Sequence, residues 1–129
     1  MILLDTHIFV WWIDGNERLS DNYKDIIKSH ENDGLGVSII SIWEIVKLHE
    51  KTRLEFSCPI EDWFKKALEY PGIKLLNLDL KIILESSQLP GNFHKDPADQ
   101  LIVSTARIMR IPLLTMDKKI LDYPHVKLV

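Results

Sequence analysis

A chain of 129 residues, 46% hydrophobic and 27% charged, is long enough for one well-packed core and too short to divide comfortably into two. Five glycines and six prolines exclude a fibrous or low-complexity chain, and the longest apolar run, Ile8 to Ile13, falls far short of the roughly twenty residues of a membrane span. Sixteen Lys and Arg against nineteen Asp and Glu give a net charge of −3, so bulk charge alone does not signal a polyanionic partner.

Met1 to Leu4 reads as a short buried strand closed by Asp5, and without a basic start it does not resemble a secretory leader. Cytoplasmic residence is the expectation. Cys58, the sole cysteine, excludes an internal disulfide and cysteine-rich zinc sites, and is read as inert. Ile8 to Ile13 is read as core rather than as a partner-binding face, followed by a turn at Asp14-Gly15-Asn16. Tyr23, Ile26 and Ile27 stand at helical spacing before Asn32-Asp33-Gly34 ends that helix.

Leu35 to Ile40 reads as a second strand, and Ser41 then caps a helix carrying Ile42, Ile45, Val46 and His49, with Glu44 in its first turn. Trp63, Phe64, Ala67 and Leu68 mark another helix, Pro71-Gly72 precedes a strand over Ile73 to Leu78, and Leu89 to Lys95 is a loop. Asp96-Pro97-Ala98-Asp99 is a helix start with an N-cap, a proline at N1 and an acid at N3. Leu101, Ile102, Ala106 and Met109 continue that helix, before strands over Ile111 to Thr115 and Val126 to Val129 that flank a short helix from Lys118 to Leu121. Strands that are nearly continuously apolar suggest burial on both faces, so the expected fold is α/β: a three-layer α/β/α sandwich around a mainly parallel sheet, one domain over 1–129.

In such a sheet the ligand crevice lies beyond the carboxyl ends of the strands, where each returning helix begins. Asp5, Glu44, Asp99 and Asp117 all fall at that edge. Four ionised carboxylates in one cleft repel unless a cation neutralises them. Oxygen donors without a Cys or His cluster favour Mg2+ or Mn2+ over zinc, and such a cleft suits phosphoryl-ester hydrolysis. With four carboxylates neutralised, the charge of −3 becomes +1 on the remaining surface, and Lys47, Lys51 and Arg53 are candidate phosphate contacts, as are Lys95, Lys118 and Lys119.

Each acid also has a structural explanation. Asp99 and Glu44 occupy capping-box positions, and Asp117 precedes a short helix it can cap. Asp5 is harder to explain so, because an acid at the end of a buried strand needs a counter-charge. Trp11, Trp12, Trp43 and Trp63 are read as core or interface anchors, His94 as a loop histidine without a catalytic role, and Lys65 and Lys66 as a solvated helix face.

Leu3-Leu4-Asp5-Thr6-His7, the stretch Val37 to Ile45, His94-Lys95-Asp96-Pro97-Ala98-Asp99 with the helix after it, and Leu114-Thr115-Met116-Asp117 resemble the PIN-domain family. The His-x-Asp-Pro-x-Asp form resembles its branch of VapC-type toxins from toxin–antitoxin pairs. That resemblance implies a Mg2+- or Mn2+-dependent endoribonuclease with Asp5 and Asp99 as principal metal ligands. Glu44 and Asp117 would complete the pocket directly or through water, with Thr6, Thr115 and Asp96 in supporting places. It also implies a homodimer silenced by a cognate antitoxin. Where that branch often carries arginine after Asp99, this chain has Gln100.

Two rivals stand beside this reading. A metal-dependent phosphatase with an aspartate nucleophile often has a second aspartate two residues on, where this chain has His7. A non-catalytic interaction module would retain the fold without needing its acids.

Overall fold

The computed structural model describes residues 1–129. Strand β1 (Ile2–Leu4) leads directly into helix α1 (Thr6–Asp14), followed by α2 (Asp21–His30), β2 (Leu35–Ser38), α3 (Ile39–Glu50) and α4 (Ile60–Leu68). Strand β3 (Ile73–Leu76), helices α5 (Leu80–Ser86) and α6 (Pro97–Met109), strand β4 (Leu113–Leu114) and the short α7 (Lys118–Leu121) complete the chain. All strand pairings are parallel, in the order β3-β2-β1-β4. The register aligns Leu4 with Val37 on one side and with Leu114 on the other.

Alternation along the strands sorts the core onto two faces. Ile2, Leu4, Leu35, Val37 and Leu114 join Ile8, Phe9 and Ile13 of α1, Ile27 of α2 and Trp63 and Ala67 of α4 in one cluster. Leu3 and Leu113 point the other way, into a second cluster with Ile102, Val103 and Ala106 of α6 and Ile120 of α7. Helix α5 packs on α6. Strands β1, β2 and β4 are therefore buried on both sides, as their apolar runs predict, whereas the edge strand β3 leaves Lys74 and Leu75 exposed. No helix is long and apolar enough to cross a membrane.

Within Ile8 to Ile13, Ile8, Phe9, Val10 and Ile13 are buried and Trp11 and Trp12 only partly covered. Trp63 is core: its indole N–H donates to Asp14 Oδ1 at 2.7 Å and its ring stacks on Phe56 with centroids 4.5 Å apart. Gly72, at φ 84°, turns the chain into β3 against the Glu31 backbone, whose oxygen would lie 2.7 Å from any added Cβ. Only glycine fits there without strain.

Three local expectations need correction. Helix α3 begins at Ile39, because Ser38 rather than Ser41 is the N-cap and accepts from the Ile40 N–H at 3.1 Å. Glu44 therefore lies in the second turn. The C-terminal segment makes only an isolated bridge between Leu113 and Leu128, not a fifth strand. Helix α5 was not expected, although Asp79 caps it by accepting from the Ile82 N–H at 2.9 Å. Its apolar residues Leu80, Ile83 and Leu84 are all exposed, so burial does not mark the element in the sequence.

Candidate active site

Chain order runs outward from β1 through β2 to β3, and then returns to place β4 on the opposite side of β1. This is a topological switch point, where the loops leaving two neighbouring strands diverge and open a crevice. Asp5 follows β1, and Thr115 and Asp117 follow β4, so they flank that opening directly. Helices α3 and α6 bring Glu44 and Asp99 to the same edge. All four carboxylates, with Asp96, line one pocket of about 400 Å³ that also includes His7, Trp11, Arg18 and Met116.

Each acid is held by an identifiable bond. Asp5 is the N-cap of α1 and is buried; its Oδ1 accepts from the Thr6 N–H at 2.8 Å and its Oδ2 from the Thr115 hydroxyl at 2.6 Å. The Thr6 hydroxyl donates to Glu44 Oε1 at 2.5 Å and lies 2.8 Å from the Ser41 hydroxyl. Ser41 is thus a buried partner of the Thr6 hydroxyl that bonds Glu44, rather than a helix cap. Asp96 caps α6, accepting from the Asp99 N–H at 3.1 Å, and Asp117 caps α7, accepting from the Lys119 N–H at 2.9 Å. Thr115 also accepts from the Asp117 N–H at 3.0 Å, coupling the ends of β1 and β4 through one hydroxyl.

Capping and a role in the pocket are not alternatives. A cap occupies one carboxylate oxygen of Asp96 or Asp117 and leaves the other available. Helix N-termini also place positive partial charge at this edge, which favours acids there.

The electrostatics show how crowded the site is. Burial raises the Asp5 carboxyl above its ordinary range, opposed by its bonds from Thr115 and Thr6. Glu44 is likewise raised, first by burial, then by Asp5 and Asp96, against the Thr6 bond. Asp99 is pushed up to about 8, by burial first and then by Asp5, Asp96, Asp117 and Glu44. Arg18 is the only lysine or arginine on the pocket wall, where His7 also acts to lower the Asp5 and Glu44 carboxyls.

His94 has more of a place than its loop position predicts. Its Nε2 stands 3.0 Å from Asp99 Oδ2, out of hydrogen-bond alignment, and this buried nitrogen has no hydrogen-bond partner. Its Nδ1 accepts from the Asp96 N–H at 3.4 Å.

The donor chemistry fits a hard divalent cation: oxygen ligands only, with mutual repulsion for a cation to relieve. The fit is one of composition, since no three His, Cys, Asp or Glu side chains stand in an arrangement that already holds a metal ion. A protein amide and hydroxyls donate to both Asp5 oxygens and to one of Glu44.

Beside the pocket lies a groove of about 390 Å³ that shares Glu44 and Asp96 with it and includes Trp43, Lys47, Lys51 and Arg53. Three of the six basic residues named from the sequence thus come together next to the acids, whereas Lys95, Lys118 and Lys119 line neither this groove nor the acidic pocket. Trp43 is not core, being 53% exposed. The pattern on α3 carries the signal for this: Ser41 and Ile45 are its buried residues, and a residue two positions from either points to the opposite side of a helix. Arg18 left no comparable signal, since only the fold returns the chain after α1 to the pocket.

A parallel sheet with an acidic crevice at its switch point defines the class, a carboxylate-site α/β protein. The PIN domain pattern matches residues 2–126, and the chain belongs to the PIN-domain family. Ribonuclease VapC22 of Mycobacterium tuberculosis is 30% identical over 124 residues, covering 96% of this chain and 92% of the relative, which places the chain on the VapC-like branch. Among solved structures, VapBC2 of Rickettsia felis bound to a promoter DNA fragment matches with a TM-score of 0.73 at 19% identity, over 100% of this chain and 98% of that one. DNA-bound VapBC of Salmonella typhimurium matches with a TM-score of 0.73 at 16% identity, over 100% and 98%. A toxin–antitoxin complex of Klebsiella pneumoniae gives 0.67 at 21%, over 98% and 95%. These structures share the fold.

Proposed function

We propose that this protein is a metal-dependent endoribonuclease and the toxin member of a toxin–antitoxin pair. The observation that carries the proposal is the convergence of Asp5, Glu44, Asp99 and Asp117 on one pocket at the switch point between β1 and β4. The relative named as a ribonuclease and the neighbouring toxin–antitoxin complexes support it.

Asp5 and Asp99 are the principal ligands in this reading, with Glu44 and Asp117 acting directly or through water. Bound Mg2+ or Mn2+ would supply polarisation of the phosphodiester and a lowered pKa for a nearby water. The protein's part is positioning. Thr6 and Thr115 fix the rotamers of Asp5 and Glu44 before substrate arrives. Asp96 holds the start of α6 and thereby the backbone of Asp99. Arg18 places one positive charge on the pocket wall, suited to a phosphate oxygen. In-line attack by water leaves 5′-phosphate and 3′-hydroxyl ends, with the 2′-hydroxyl serving recognition alone.

A cognate antitoxin and a homodimer complete the proposal. The exposed row Leu80, Ile83 and Leu84 on α5 supports self-association, since such a row is costly to leave in water.

Purified, antitoxin-free protein incubated with total RNA should cut it with Mg2+ or Mn2+, and not with chelator or as Asp5→Asn. Fragment mapping should find 3′-hydroxyl ends. Cyclic phosphate ends would reject water attack, and release of phosphate from small monoesters without internal cutting would favour the phosphatase. Inactivity on both substrates at every metal concentration would favour the non-catalytic module.

A further inference from the structure

The indole of Trp43 faces the groove and solvent. It is 53% exposed on the outer side of α3, and the core faces of that helix are Ser41 and Ile45. Its contact is with Lys47, one turn on, whose Nζ lies 5.9 Å from the ring centroid. That ammonium also pairs with Glu50 at 3.3 Å, and both partners are well exposed, so the pair holds Lys47 only weakly. Lys51 and Arg53 form no ion pair. Thr52 between them adopts φ 56°, which ends α3 in a tight left-handed turn with both cations on the groove.

We infer that Trp43 is a stacking platform for one unpaired base of the substrate strand, held in register by phosphate contacts from Lys47, Lys51 and Arg53. This rests on the ribonuclease reading and deepens it. Three features support the assignment. The groove shares Glu44 and Asp96 with the acidic pocket, so a strand lying in it leads its backbone to the cutting position. Its volume of about 390 Å³ is at the small end for ligand pockets, room for about one nucleotide. A flat aromatic face beside three cations also complements a chain of alternating bases and phosphates. A base inside a duplex has both faces covered by its neighbours, so the groove selects single strands and loops.

The inference is tested on the full chain carrying Asp5→Asn, which prevents cutting, by fluorescence anisotropy. The probes are a labelled single strand of about twelve nucleotides with randomised sequence, an abasic strand of the same length, a closed hairpin and an acidic polyglutamate peptide. Trp43→Ala should weaken single-strand binding about 10- to 100-fold, with abasic-strand binding within about twofold and an unchanged Tm. Trp43→Phe should restore most of the loss. In the cutting-competent chain, Trp43→Ala should raise KM and leave kcat nearly unaltered. Equal losses on the abasic strand or the hairpin, or no loss on any strand, overturn the inference. So does a loss confined to the peptide, which would make the groove a protein-docking site. Trp43-dependent binding without cutting in any metal refutes the nuclease reading alone, cutting indifferent to Trp43 refutes this inference alone, and absence of strand binding refutes both.

Discussion

Asp99→Asn should stabilise the metal-free protein while abolishing its activity. The carboxyl of Asp99 is raised from 3.8 to about 8, by burial first and then by four neighbouring acids. The folded state therefore binds this proton more tightly than the unfolded chain, so stability is greatest below the unfolded pKa and falls as pH rises toward 8. At about 1.36 kcal/mol per pH unit, ionising Asp99 in the folded state has a ceiling of about 6 kcal/mol. Water enters the open pocket and the neighbouring acids share the proton burden, which reduces the expected gain to about 1–3 kcal/mol, or roughly 4–12 °C in Tm. Thermal unfolding in chelator from pH 4 to pH 8.5 measures it. The two proteins should coincide near pH 4 and separate progressively, the variant being the more stable, with a residual slope from Asp5 and Glu44, which are also raised. A difference independent of pH, or a variant less stable at pH 8, would refute the electrostatic account of this pocket.

For the wild-type chain, Mg2+ at pH 8 should raise Tm by several degrees, and Asp5→Asn should lose most of that gain; calorimetry that finds equal shifts would exclude Asp5 as a ligand. Thr115→Val strips a hydrogen-bond partner from both Asp5 Oδ2 and the Asp117 N–H, and should lower stability by about 2 kcal/mol in urea titration, with Thr115→Ser recovering most of it. Gly72→Ala forces a Cβ to 2.7 Å from the Glu31 oxygen at φ 84°, and should lower stability by about 3 kcal/mol with an unchanged m-value. A loss below about 1 kcal/mol would show that the turn yields easily.

Features written in short stretches of chain were legible without coordinates. Asp96-Pro97-Ala98-Asp99 carries its own helix start, and α6 begins where that pattern places it, with the cap bond formed. Asp117 before α7 is equally local. Nearly continuous apolar runs marked β1, β2 and β4 as buried on both faces, while Lys74 within β3 goes with its exposed place at the sheet edge. Even local signals compete, however. Ser38 and Ser41 are both competent caps, and the point where β2 stops pairing with β3, at Ser38 beside Leu76, decided between them. That shift moved Glu44 from the first turn to the second, where Thr6 of a different helix holds it.

Convergence belonged to the tertiary structure. Asp5 and Thr115 are 110 positions apart, yet their side chains bond because β4 lies beside β1. His94 against Asp99, Arg18 on the pocket wall and Trp43 beside the basic groove follow from the same packing. The chain could announce which residue types were available and where helices would start, since those depend on neighbours within a turn or two. Which of them share a pocket depends on strand order and on which face of a helix the core claims, and these are settled only when distant segments bury one another.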